Sequence, residues 1–70
     1  MQVSYVKLWI RLVEMKMSKP ELRKKAHLSA STMTKMNKGE PISTTILLRI
    51  CDVLECNIGD IMDVEKTEEG

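Results

Sequence analysis

The residue types most able to do chemistry sit together in one stretch, LSASTMTKMNKGE, from Leu28 to Glu40. A serine able to cap a helix is followed by small hydroxyl residues, two methionines three apart, two lysines and a glycine. Small hydroxyls donate and accept hydrogen bonds without bulk, and lysines beside them add positive charge, so this face suits close approach to an anionic surface. Other reactive types are sparse. Cys51 and Cys56 are five apart, which is neither a Cys-x-x-Cys pair nor a zinc-ligand spacing, and the only histidine, His27, is distant in sequence. They read as small buried hydrophobes of a reducing compartment, with no metal and no disulfide expected. With no cluster of histidine and carboxylate and no glycine-rich phosphate loop, no catalytic residue, cofactor or small-molecule ligand is expected, and an enzyme is excluded.

The elements that must position these residues follow from periodicity and caps. Residues 5–16 place Leu8, Trp9, Leu12 and Met15 on one helical stripe and Val6, Ile10 and Val13 on a second, with Ser4 as candidate cap. A helix apolar on two sides is either sandwiched in the core or touches a partner. Ser18-Lys19-Pro20-Glu21 reads as a capping box with proline in the first turn, opening a short second helix to about Ala26 with Leu22 and Ala26 inward. Ser29 caps a third helix that buries Met33 and Met36 and stops at Gly39. Ser43 caps a fourth, Thr44 to about Glu55, which buries Leu47, Ile50, Cys51 and Leu54 and carries Ile46, Arg49 and Val53 on its flank. Asn57 caps a short fifth helix, Ile58–Met62, and residues 63–70 form an acidic tail, frayed or briefly extended. The predicted class is all-α, a compact five-helix bundle with short flexible termini, as a single domain over residues 1–70.

Length and charge set the bounds. Seventy residues make one small domain, with an aliphatic core because there is no Phe, one Trp and one Tyr. No apolar run approaches the roughly 20 residues of a membrane span, and Met1–Ser4 lacks the basic region of a signal peptide, so a soluble cytoplasmic protein with no membrane partner is expected. The net charge of +1 hides an asymmetry: residues 1–39 hold nine Lys/Arg against two acids, residues 40–70 two against eight. This pattern suggests a basic face made by the first half of the chain.

Only His27-Leu28 separates the second helix from the cap of the third, so the two axes must cross steeply. The third helix would then stand out from the body and present Ala30, Ser31, Thr34, Lys35 and Lys38, with Ser29 at its tip. Such a face fits the major groove of DNA, where bulk is restricted near base edges. The order of residues resembles the Cro/cI-type (XRE-like) helix-turn-helix regulators. The resemblance runs from Leu8 to Met62 and rests on Ser18-x-x-Glu21-Leu22, Leu28-Ser29, Met33, Met36-x-x-Gly39, Leu47-x-x-Ile50-Cys51-x-x-Leu54 and Ile58-Gly59-Asp60-Ile61-Met62.

The resemblance implies a lambda-repressor-like DNA-binding domain, with a helix-turn-helix pair over about 19–38 and often a symmetric dimer. By position, Ala30, Ser31 and Lys35 fall at base-reading places. Ser29, Thr34, Lys38 and Lys19 fall at phosphate-contact places, and Lys24 and Lys25 are further phosphate candidates. Two residues depart from the family pattern: Arg23 where a small residue is usual, and His27 where a turn glycine is usual. The first would push the helices apart unless its stem snorkels outward; the second would hold a left-handed backbone. The expected function is a sequence-specific regulator of double-stranded DNA, a repressor binding an inverted repeat as a homodimer, with Ile46, Arg49, Val53 and Ile10 as candidate dimer residues. A protein-interaction module of the same fold, of antitoxin or anti-repressor type, is the alternative.

Overall fold

The structure, a computed structural model, describes residues 1–66. Its elements run β1 (Gln2–Ser4), α1 (Val6–Glu14), α2 (Lys19–Lys25), α3 (Ala30–Asn37), α4 (Thr44–Leu54), a single 3₁₀ turn (Ile58–Asp60) and β2 (Asp63–Glu65). Three caps stand where local sequence puts them. Ser18 Oγ accepts from the amide of Glu21 at 3.2 Å while the Glu21 carboxylate accepts from the Ser18 amide at 3.3 Å. Ser29 accepts from the amide of Thr32 at 3.1 Å, and Ser43 from that of Ile46 at 3.3 Å. Each satisfies an amide that the first helical turn leaves without a partner and contributes about 1 kcal/mol.

All four α-helices end alike. The chain turns left-handed at Lys16 (φ 56°), His27 (φ 55°), Gly39 (φ 73°) and Glu55 (φ 51°). The next amide then reaches back five residues: Met17 to the Leu12 carbonyl and Leu28 to that of Arg23, both at 2.9 Å, Glu40 to Lys35 at 2.8 Å, and Cys56 to Cys51 at 3.1 Å. This closure satisfies carbonyls that would otherwise be orphaned, and it favours glycine because only glycine lacks the Cβ that a left-handed backbone crowds. Three of the four positions carry a side chain there, so the domain holds backbone strain of roughly 1 kcal/mol at each.

The core draws on every helix. Leu8 and Leu12 come from α1, Leu22 from α2, Met33 and Met36 from α3, and Leu47, Ile50, Cys51 and Leu54 from α4, with Tyr5, Ala26, Leu28 and Ile61 from the connections. Leu8, Leu22, Met36, Ile50 and Ile61 are the largest side chains fully shielded from water, each contributing about 1.5–3 kcal/mol by burial. The single tyrosine is used as a tether: Tyr5 is buried, and its hydroxyl donates to the Glu40 carbonyl at 2.8 Å, tying the start of α1 to the loop after α3. Burial pushes the Tyr5 phenol above its ordinary range, partly offset by the Ile42 backbone.

The expected all-α, five-helix bundle is corrected in two respects. The segment expected as a fifth helix makes one 3₁₀ turn, in which the Asp60 carboxylate accepts from the Asn57 amide at 3.0 Å. Ile58 and Ile61, three apart, reach the core as readily from a 3₁₀ turn as from an α-helix. The termini expected to be flexible instead pair as an antiparallel ribbon, with Gln2 opposite Glu65, Val3 opposite Val64 and Ser4 opposite Asp63. Residues 67–70 of the expected acidic tail lie outside the described residues. Tyr5, not Ser4, stands at the start of α1, and Met15 is exposed rather than buried. Gly39 does double duty, because a Cβ there would sit 3.3 Å from the Val3 carbonyl of β1. Among the described residues no helix is long and apolar enough to cross a membrane.

Candidate nucleic-acid interface

α3 buries Thr32, Met33 and Met36 on one side. Helical spacing then puts Ala30, Ser31, Thr34, Lys35 and Lys38 on the opposite side, and all five are exposed. Alternating Ser and Thr are poor helix formers, so α3 persists through its Ser29 cap and its methionines rather than through propensity. The consequence is a helix whose outward face is small, polar and cationic.

The hydroxyls at the tip are already linked. Ser29 Oγ lies 3.1 Å from Ser31 Oγ and 2.9 Å from Thr32 Oγ1. Thr34 Oγ1 donates to the Ala30 carbonyl at 3.1 Å, so its proton is engaged within the helix and its oxygen is left to accept. Lys35 and Lys38 are the exposed cations of the face.

Lys19, at the first position of α2, is held beside this face. Its ammonium stacks 4.1 Å from the centre of the Trp9 ring and donates to Asn37 Oδ1 at 2.8 Å. From sequence alone, Asn37, at the last turn of α3, had no role, and Trp9, on α1, stood only in an apolar stripe, not at the site. Position 37 follows 30 and 34 on the same helical edge, which is the signal that could have found it. Lys24 and Lys25 are both exposed on α2, Lys24 on the side away from the buried Leu22 and Ala26 and Lys25 one turn after Glu21.

The two departures from the family pattern resolve into one device. His27 adopts the left-handed backbone expected of the turn glycine. Arg23 stays exposed, its stem lying outward, and its Nε donates to the Leu28 carbonyl at 3.2 Å, pinning the turn from the α2 side. From the α4 flank, Arg49 Nη1 reaches the His27 carbonyl at 3.5 Å. Two guanidiniums thus neutralise carbonyls that a two-residue link leaves exposed.

The pattern of a Cro/C1-type helix-turn-helix DNA-binding domain matches residues 7–67. This chain belongs to that family. The Cro/C1-type fold seen here is also that of a solved structure, the crystal structure of the transcriptional regulator VanUg, with a TM-score of 0.92 and 44% identity over 94% of this chain and 88% of that one. No curated protein matches the chain. In this Cro/C1-type domain the small, cationic side of α3 is the side it turns to solvent.

Proposed function

We propose that this Cro/C1-type protein is a sequence-specific, double-stranded DNA-binding transcriptional regulator that acts in the cytoplasm as a repressor, binding an inverted-repeat operator as a homodimer. The observation that carries the reading is the outward face of α3, whose small residues and two lysines lie directly opposite its buried side. Ala30, Ser31 and Lys35 read bases: Lys35 suits guanine O6 and N7, a serine hydroxyl suits several base edges, and Ala30 offers a contact to a thymine methyl. Lys19, Ser29, Thr34 and Lys38 hold phosphates, with Lys24 and Lys25 as outer contacts. A repressor of this kind needs no chemistry, because a dimer covering a promoter blocks polymerase by occupancy. Likeness to the transcriptional regulator VanUg supports the regulatory role.

Ile10 supports the dimer best among the four dimer candidates. It is 54% exposed, in line with Val6 at 57% and Val13 at 77%, whereas Ile46 and Val53 are half-buried against the core and Arg49 is engaged with the turn. The same exposed stripe favours the second reading, a protein-interaction module. Selection from a random duplex library at roughly physiological salt, followed by sequencing, separates the two. An inverted repeat with half-site centres about 10 bp apart is the expected result. No enrichment from folded protein would refute the DNA reading in favour of a protein partner. Sedimentation of Ile10→Asp and Val53→Asp tests the dimer: a folded monomer is expected from the variant on the interface, and an unchanged dimer from both would remove both surfaces.

A further inference from the structure

Lys19 and Asn37 join α2 to α3 by a bond that leaves unused donors on both sides. Lys19 Nζ lies 2.8 Å from Asn37 Oδ1 and 4.1 Å from the centre of the Trp9 ring. An ammonium can only donate, so the amide must turn its oxygen toward it. Both Nδ2 protons of Asn37 therefore point away from Lys19, and among the described residues they meet no acceptor. The ammonium in turn spends one of its three protons on Oδ1. Both side chains are exposed. With Pro20, Arg23 and Met33 they line a cleft of about 230 Å³ between α2 and α3.

The place of Asn37 on α3 decides what its free donors can meet. Ser31 and Lys35 lie on one edge of the outward face, whereas Asn37 lies on the opposite edge, beside Met33 and in the last turn. A groove-binding helix holds its N-terminal residues against base edges, so its far end rises toward the sugar-phosphate backbone. The main chain of α2 offers little there: Pro20 has no N–H, and the Glu21 amide is taken by Ser18 at 3.2 Å. We propose that Asn37 is a further DNA-contacting residue, its Nδ2 donating to the same backbone phosphate as Lys19, so that the pair forms a two-point clamp on one phosphodiester. The clamp rests on the DNA reading above and adds to it a residue that reading leaves idle. Lysine supplies charge and the amide supplies direction. Trp9 confines the ammonium from one side and Asn37 from the other, so the clamp is ordered before DNA arrives.

The probe is the duplex enriched from the random library, with one phosphate at a time in each half-site replaced by an uncharged methylphosphonate. Several replacements should weaken the wild type. At one and the same phosphate, Lys19→Ala and Asn37→Ala should both be less sensitive than the wild type, and elsewhere both should match it within about twofold. On the unmodified duplex Asn37→Ala should weaken binding by about fivefold per subunit, about 25-fold for the homodimer. Its salt slope should not change, because a neutral amide releases no counterion, whereas Lys19→Ala lowers the slope. Asn37 is exposed, so the alanine variant should keep the fold, which thermal melting checks. Wild-type affinity in Asn37→Ala would overturn the clamp and leave the DNA reading standing. So would a shifted base preference, or a lost sensitivity at a different phosphate from that of Lys19→Ala. A folded wild type that binds no duplex would remove the DNA reading and the clamp with it.

Discussion

Replacing Lys19 by alanine removes the one cation of the proposed interface whose geometry is set by its neighbours. The ammonium rests on the Trp9 ring and on Asn37 Oδ1, so it reaches a phosphate without first losing the freedom of a four-carbon chain. Roughly six phosphate contacts give a log–log slope of affinity against salt near −5, and each ionic contact contributes about 0.9 of that slope. Extrapolated from 1 M salt, where counterion release adds nothing, one contact is worth about fivefold at 0.15 M and about fifteenfold at 0.05 M. A homodimer loses two such contacts in Lys19→Ala, so the loss should be the square of these factors, should grow as salt falls, and the slope should shrink by nearly two. Stability should change little, because an exposed cation such as Lys19 over an aromatic ring contributes about 0.5–1 kcal/mol. The assay is fluorescence anisotropy of a labelled operator across a salt series. Lys7→Ala serves as control, since Lys7 is turned instead toward the Gly59 carbonyl (3.2 Å) and Asp63 (3.7 Å). A loss that is the same at every salt concentration, or no loss at all, would show that Lys19 touches no phosphate.

Five other substitutions probe the groove face, the helix turns and the tyrosine tether. Lys35→Ala should weaken binding by about 1–3 kcal/mol and relax preference at one base position, whereas Lys38→Ala should weaken all sequences alike; equal losses on every duplex in a binding array would move Lys35 out of the groove. His27→Gly relieves a left-handed backbone and should raise stability by about 0.5–1 kcal/mol after the entropy of the freer unfolded chain is deducted. Gly39→Ala should instead destabilise by about 1 kcal/mol or more, because strain there adds to a Cβ only 3.3 Å from the Val3 carbonyl; thermal melts that ranked the two the other way would contradict the turn geometry. Tyr5 gives a pH signature. Its folded-state phenol titrates above the unfolded value of about 10, so its contribution is complete below pH ~10 and is lost as pH rises past that value. Tyr5→Phe should cost about 1 kcal/mol near neutrality through the lost bond to Glu40 and flatten the alkaline limb of the stability profile. An alkaline limb of unchanged steepness would place the titration elsewhere.

The sequence carried the helices and their faces because these depend on neighbours within about four residues. Ser18 with Glu21, Ser29 and Ser43 each meet an amide three positions on, so their caps were legible before any packing was known. The buried set of α4 and the outward residues of α3 followed from the same period, and with them most of the candidate site. What tertiary structure decided lies beyond that range. The β1–β2 ribbon joins three-residue strands from opposite ends of the chain, too short to show a period of two and paired only because α1 and the 3₁₀ turn carry their ends together. Lys16 and Glu55 take left-handed turns with no glycine to announce them; packing after each helix end holds the strain that local preference would reject. Trp9, Lys19 and Asn37 sit on three different helices, and only the crossing of α1, α2 and α3 brings ring, ammonium and amide together. Periodicity specifies which side of a helix faces inward, but the angle between helices comes from side-chain volumes meeting in the core, and no single segment encodes that.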